Sequence, residues 1–544
     1  MNNDFKLRSF LIFSLFCFFY FILLINLYTI QIVRANYYAN LANKQHLITT
    51  KINPPRALIL DRNNKPVALN KESLSAFILP HKLEEPEKLK TFLQRNFPNA
   101  LTRLKTNKNK YFMYVKRKLS DSELELIEKS NLKDIKVLKE PSRFYPVESM
   151  ATVVGVTDID NNGLFGIELQ FNKSLAGTPK VVTLEKDARS GHFYFKKETL
   201  KEGTSSQLIK LTIDSELQYL IQEELNETIE KLQSKDGNVI VIDPNTGDIL
   251  AMVNVPSFDP NNTTILDMEM TKNKVIADAY ERGSVMKIFV ALAAFEEGLT
   301  TPDELIDCEN KEIVTIDRMT FSTWKAHGIL PFSQVLEKSN NVGMVKIAQR
   351  VGKKLYDHYL KMLFATKTDI PLPGEQKGFI THPKNWSKRS IVSLSFGYEI
   401  TATLIQLARA FCIIANMGYS VKPKLIFDQK TEKSQEPIYS EQSINWIREI
   451  MQNTVNQGTA RRAAIKGYNI MAKTGTANIA INGEYSKAKN MYCCAGIIEK
   501  HHYKRVIVTS IREANIPNAL ASNTAVPLFE QIAEKILIHD KLIQ

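Results

Sequence analysis

The pattern of apolar and polar positions changes along this chain, and its first stretch has no period at all. From Phe10 to Val33 there are 24 residues without a charge, dense in Phe, Leu and Ile. A helix over that stretch reaches about 36 Å, enough to cross a bilayer core with some tilt. A cleavable signal peptide is the rival reading, but its apolar region is usually shorter and no A-x-A site comes after it. An uncleaved anchor at 10–33 behind a short tail at 1–9 is therefore expected. Lys6 and Arg8 before the span are balanced by Arg34, Lys44 and Lys51 after it, so flanking charge does not orient it.

Residues 34–205 read as a mixed α+β module. Pro54-Pro55 break the chain, Ala57–Leu60 reads as a strand, Asp61–Lys65 as a turn and Val67–Leu69 as a returning strand. Ser120 to Lys129 has a helical pattern, and Gly155, Gly163, Gly166 and Gly177 mark turns. A spacer is the plain reading of this module and partner docking the functional one; the pattern does not separate them. From residue 206 the pattern becomes more regular. Thr212-Ile213-Asp214 precedes a helical run from Ser215 to Leu232. Asn238–Asp243 and Ile249–Val253 form an apolar hairpin around Pro244–Gly247. Strand-like runs return at Tyr468–Thr474, Met491–Ile498 and Arg505–Ser510, and Val526–Ile538 is helical. A sheet drawing strands from both ends of 206–544, with helical segments between them in sequence, is an α/β sandwich.

Composition adds little. Of 544 residues 44% are hydrophobic and 24% charged, which suits a globular protein of two or three domains. The formal charge of +13 comes without a lysine–arginine block or an aromatic-spaced basic stripe, so no nucleic-acid partner is expected. The five cysteines lack metal or redox spacing. Cys493 and Cys494 are neighbours in a strand-like run and should point to opposite faces. No metal or cofactor is implied.

The candidate chemistry lies in three short motifs in a fixed order: Ser284-Val-Met-Lys287, Ser339-Asn-Asn341 and Lys473-Thr474-Gly475-Thr476. S-x-x-K occurs four times, beginning at Ser130, Ser284, Ser322 and Ser486, but only Ser284 opens a good helix and has the other two motifs downstream. Together they form the S-x-x-K, S-x-N, K-T-G set of the serine acyl-transferases that penicillin inactivates. Ser284 and Lys287 share one helix face. A serine hydroxyl needs a base, and Lys287 can serve if burial and a neighbouring cation depress its pKa. The helix N-terminus adds positive potential where an oxyanion would develop. Ser339 would relay a proton, and Asn341 would hold Lys287 or a substrate amide. Gly475 would let an extended peptide lie against its strand, and Lys473, Thr474 and Thr476 would meet a terminal carboxylate. The amides of Ser284 and Thr476 would form an oxyanion hole. Taken singly, Ser284 and the Ser339–Asn341 run also read as helix caps.

Beyond these motifs almost the whole chain resembles the class B penicillin-binding proteins, membrane-anchored D,D-transpeptidases. Arg56–Asn63, Arg143–Pro146 and Gly163–Glu168 match the boxes of the family's pedestal domain. Asp243–Gly247, Pro256–Asn261, Ser395–Gly397, Gln406–Ala408, Ala415–Gly418 and Gly458–Ala460 match those of its transpeptidase domain. The division-specific (FtsI-type) branch is the most similar. The resemblance implies a serine β-lactamase-like transpeptidase sandwich behind a transmembrane helix and a mixed α+β pedestal of the PBP dimerisation type. It implies Ser284 acyl-enzyme chemistry on peptidoglycan stem peptides with release of D-Ala, covalent binding of β-lactams, and a place in the bacterial inner membrane with the catalytic domain outside the cytoplasm. An FtsW-like lipid II polymerase and other division proteins are the implied partners. An elongation-type transpeptidase and a non-catalytic division scaffold are the alternatives. Five positions depart from the pattern: Ala57 and Glu148 replace glycines, Thr152 a histidine, Arg282 a proline and Glu399 a glycine. The first three put pedestal docking in question, and the last two are expected to alter the mouth of the site.

Overall fold

A computed structural model describes residues 3–106, 110–186, 193–262, 267–481 and 483–543; Met1 and Asn2 of the expected tail lie outside them. Contacts divide the chain into two compact units, Met1–Arg56 with Ala176–Gln207, and Ala57–Leu175 with Leu208–Gln544.

In the first unit a helix runs over Asn3–Tyr28 and continues through a wider π-helical turn, Thr29–Val33, before the helix Ala35–His46. Its charge-free length is exposed on every side, with a mean hydropathy of 2.6 over its most apolar 18 residues. Such an all-round apolar helix needs an apolar medium to cover it. Among the described residues it is the one helix long and apolar enough to cross a membrane. The unit also holds an antiparallel sheet of Leu47–Ile52, Lys180–Lys186 and Phe193–Lys201, with Lys180–Lys186 in the middle.

In the second unit, residues 57–175 are tied to residues 208–544 by buried polar contacts. Asp61 in the expected turn accepts hydrogen bonds from its own loop at Asn63 N and Lys65 N, each 2.8 Å, and from Ser215 Oγ at 2.7 Å. Arg143 and Glu168, from two different sequence boxes, form an ion pair of 2.6 Å with side chains 1% and 0% exposed. Tyr145 N donates to Asn261 Oδ1 at 3.0 Å, and Asn261 Nδ2 donates back to Tyr145 O at 2.8 Å. Thr152 is buried and donates to Asn254 Oδ1 at 3.1 Å. Buried Val67, Ile167 and Leu175 accordingly share one core with Ile213, Ile249 and Met252.

The main sheet has five antiparallel strands: β1 (Asp236–Ile242), β2 (Ile249–Val255), β3 (Asn469–Ile481), β4 (Glu484–Lys500) and β5 (Tyr503–Arg512), in the spatial order β2-β1-β5-β4-β3. Strand alternation splits each strand between two cores. Ile240, Ile242, Val506 and Val508 face one; Val239, Val241, Ile507 and Ile511 face the other. The second core is closed by helices α1 (Ser215–Lys231) and α6 (Ala525–His539). The first is filled by α2 (Lys287–Glu296), α3 (Asn341–Val351), α4 (Leu404–Ala415) and α5 (Glu441–Asn456). This is the α/β sandwich expected. Cys493 and Cys494 do point into opposite cores as free thiols. In α2 every residue from Lys287 to Phe295 is buried. Burial of each large apolar side chain contributes about 1.5–3 kcal/mol, so this helix is fixed firmly enough to hold one lysine side chain in the interior.

Candidate active site

The structure brings all three motifs together at one cleft of about 660 Å³, into which Ser284, Ser339, Asn341, Thr474 and Thr476 open. Ser284 sits in a 3₁₀ turn, Gly283–Met286, that leads directly into α2. Gly283 takes φ +57°, and a Cβ there would lie 2.6 Å from Thr476 O. Gly475 explains why this turn can press against β3. A Cβ on Gly475 would come within 2.3 Å of Arg282 O and 2.7 Å of Val285 Cγ2. The missing side chain thus makes room for the turn that carries Ser284. A further correction concerns the strand itself: Lys473–Thr476 does not end β3, which continues to Ile481.

Lys473 shares the parity of Met471, which faces the core holding α2, and this brings its ammonium toward that of Lys287. Both lysines are fully buried. Lys287 Nζ lies 2.8 Å from Ser339 O, 3.3 Å from Ser339 Oγ and 2.6 Å from Asn341 Oδ1. Lys473 Nζ donates to Thr474 O at 3.0 Å and to the same Ser339 Oγ at 3.1 Å. Among the described residues neither has a carboxylate partner. Burial, and then the charge of Lys473, holds the pKa of Lys287 well below that of a free lysine. Burial brings Lys473 down to about 7. An amine deprotonated in this way keeps two N–H donors for Ser339 O and Asn341 Oδ1 and gains a lone pair that can take a proton.

Ser339 holds φ +54°, a conformation uncommon for a residue with a side chain, and places its hydroxyl between the two lysines. The helix-cap reading of this run is also correct, but for its middle residue. Asn340 is the N-cap of α3 and accepts from Gly343 N at 3.0 Å, leaving Ser339 and Asn341 for the site. Asn341 is braced in turn: its Nδ2 donates to Ser322 O at 2.6 Å. The hydroxyls of Thr474 and Thr459 are 2.8 Å apart, and Thr476 Oγ1 accepts from Ala521 N at 3.1 Å. Thr459, Ser322 and Ala521 escaped the motif reading. Only the Gly458–Ala460 box gave any signal, since backbone partners leave none.

Arg282 is not at the mouth of the site. It is 2% exposed, and its guanidinium donates to Ala402 O at 2.8 Å, Ser510 Oγ at 3.3 Å and Asp278 O at 3.3 Å. It ties the backbone entering the nucleophile turn to β5 and to the start of α4. Glu399 takes φ +57°, as the expected glycine would, and its amide donates to Glu281 Oε1 at 2.8 Å.

With this geometry in place, the comparisons with known proteins are consistent. Residues 237–534 match the penicillin-binding protein transpeptidase domain and residues 51–211 the penicillin-binding protein dimerisation domain. The chain is 31% identical over 506 residues to the peptidoglycan D,D-transpeptidase FtsI of Buchnera aphidicola subsp. Baizongia pistaciae, covering 89% of this chain and 86% of that one. It is 26% identical over 521 residues to FtsI of Escherichia coli K12, covering 93% and 87%. Its fold is similar to that of penicillin-binding protein 3 of Mycobacterium tuberculosis in complex with aztreonam, with a TM-score of 0.68 at 24% identity, covering 91% and 98%. The chain belongs to the penicillin-binding protein transpeptidase family. Within it the chain is a class B, FtsI-like member, anchored to a membrane by its N-terminal helix.

Proposed function

We propose that this protein is a septal peptidoglycan D,D-transpeptidase that works through a Ser284 acyl-enzyme. The observation that carries this reading is the pair of fully buried lysines joined through one serine hydroxyl. Lys287, in its neutral form, takes the proton of Ser284 Oγ as the oxygen attacks the carbonyl of the penultimate D-Ala of a stem peptide. The amides of Ser284 and Thr476 hold the oxyanion. As the C–N bond breaks, Ser339 passes a proton to the departing D-Ala amine, and Asn341 keeps Lys287 and the substrate amide in line. The amine of a second stem peptide then attacks the ester, Ser284 recovers its proton, and a cross-link results. The rim of β3 is the edge of the sheet, so an extended donor peptide can add there, with its terminal carboxylate at Lys473, Thr474 and Thr476. A β-lactam enters as the donor does and stays attached.

The same reading assigns residues 34–205 to the pedestal and 206–544 to the transpeptidase domain. It places the anchor in a bacterial inner membrane with the catalytic domain on the periplasmic side, and pairs the protein with an FtsW-like polymerase that supplies nascent glycan. The experiment is acylation of the purified full chain by a fluorescent penicillin beside Ser284→Ala, monitored over hours. A lasting adduct that the substitution abolishes supports the assignment. Rapid turnover of the adduct indicates a β-lactamase, and its absence from folded protein leaves a scaffold.

A further inference from the structure

The cleft carries more positive charge than the proposed reaction uses. Its walls include Lys325, Lys338, Arg461 and Arg462, and no Asp or Glu lines it. Arg461 and Arg462 are exposed on the short turn Arg461–Ala463 that joins α5 to β3. Lys325 and Lys338 come from a different part of the chain, on either side of the helix Phe332–Glu337.

Elsewhere in this unit several arginines are paired. Arg350 meets Glu304 at 2.7 Å, Arg505 meets Asp243 and Asp540, each at 3.0 Å, and Arg448 and Arg512 meet Glu499 and Asp236. Among the described residues no carboxylate pairs with any of the four cations in the cleft; Lys338 Nζ has the neutral Gln334 Oε1 at 3.0 Å. The uncompensated field is felt inside the cleft, where burial and then the charges of Lys338 and Lys325 lower the pKa of His327. Lys287 and Lys473 are set back from this rim, both fully buried. One terminal carboxylate, bound at Lys473–Thr476, leaves the arginine pair unanswered.

We infer that Arg461 and Arg462 form a second anion subsite, which takes a side-chain carboxylate on the residues preceding the D-Ala pair. The preferred substrates are therefore stem peptides in which that side-chain carboxylate is free and not amidated. This deepens the transpeptidase reading and rests on it. A guanidinium holds a carboxylate through two parallel hydrogen bonds, whereas a neutral amide offers it one acceptor. A cleft lined by one sign of charge also raises the local concentration of the opposite ion.

The test compares two penicillins that share a nucleus and differ only in carrying a free carboxylate or the corresponding carboxamide on the side chain. Second-order acylation rates are measured on the detergent-solubilised full chain at low and high salt. The carboxylate compound should acylate about tenfold faster at low salt, with the ratio shrinking as salt screens the rim. In Arg461→Gln/Arg462→Gln the ratio should fall to near one, and Arg461→Lys/Arg462→Lys should restore part of it. Donor pentapeptides with a free or amidated side-chain carboxylate should differ in KM in the same direction. A ratio near one in the native chain overturns the inference whatever the variants do, as does a ratio the double glutamine variant leaves intact. No adduct with either compound, from folded protein, sinks the acyl-transfer reading and this inference with it. An adduct from both at equal rates sinks the inference alone.

Discussion

Among the buried ionisable side chains of the second unit, two pairs are built on opposite rules. Arg143 and Glu168 meet at 2.6 Å with almost no exposure, an acid against a base. Lys287 and Lys473 are just as deeply buried but carry the same sign, and between them stands only the hydroxyl of Ser339. Taking an ion out of water costs several kcal/mol, which an opposite charge at contact can offset. A like charge adds to the cost, so burial and the neighbouring charge of Lys473 both favour proton loss from Lys287. The first arrangement holds structure together. The second suits the base that the proposed reaction needs, and the fold tolerates it because the buried length of α2 and the sheet fix both lysines in place.

The largest effect that would sharpen this contrast is on rate. Lys287→Met should reduce acylation by a β-lactam by about 10³-fold, the scale of a lost general base, while the thermal unfolding midpoint holds or rises. A variant that acylates at the native rate would remove Lys287 from the base role. The opposite pattern is expected in Arg143→Met. Loss of the Arg143 charge beside buried Glu168 should lower stability by about 3–5 kcal/mol, measured by denaturant titration, while the acylation rate of the folded fraction stays within about twofold of native. A large rate defect in that fraction would show that the pedestal pair reaches into the site.

Gly475→Ala tests the nucleophile turn between these extremes. Its Cβ meets Arg282 O and Val285, so Ser284 must shift, and an acylation rate at least about tenfold lower is expected, from misplaced reacting atoms. A native rate would mean that the turn has room to retreat. The smallest effect is a shift along the pH axis. Lys287 must be neutral to act, so acylation should fall as acid returns its proton. The charge of Lys473 depresses the pKa of Lys287, and Lys473→Met removes that charge, so the acid limb should move to higher pH. An unmoved limb would break the coupling. For stability the sign runs the same way. The pKa of Lys473 falls from 10.5 unfolded to about 7 folded, so its contribution to stability improves as pH rises between those values and is least favourable below 7.

Much of this site is legible in one dimension because acyl transfer restricts residue type. A serine and lysine three apart, a serine–asparagine pair and a lysine-bearing strand can be found by pattern, and their order separates Ser284 from three chance matches. The apolar span and the strands of the sheet are equally plain, because each is defined by its own side chains. Arg282 shows the limit. Its position next to Gly283 suggested the mouth of the cleft, yet the side chain turns inward to carbonyls from residues 278 and 402, partners that leave no mark on composition or period.

The order of motifs, the apolar anchor and the alternation of each strand therefore come from local chemistry, and the sequence by itself determined the family, the proposed nucleophile and the membrane attachment. The tertiary structure decided what each motif residue does. It made Gly475 a seat for the nucleophile turn, gave the capping role to Asn340 and freed Ser339 to stand between two lysines. It also set the charge state of those lysines, because a pKa depends on burial and on neighbours that lie 186 residues away in the chain but share one core.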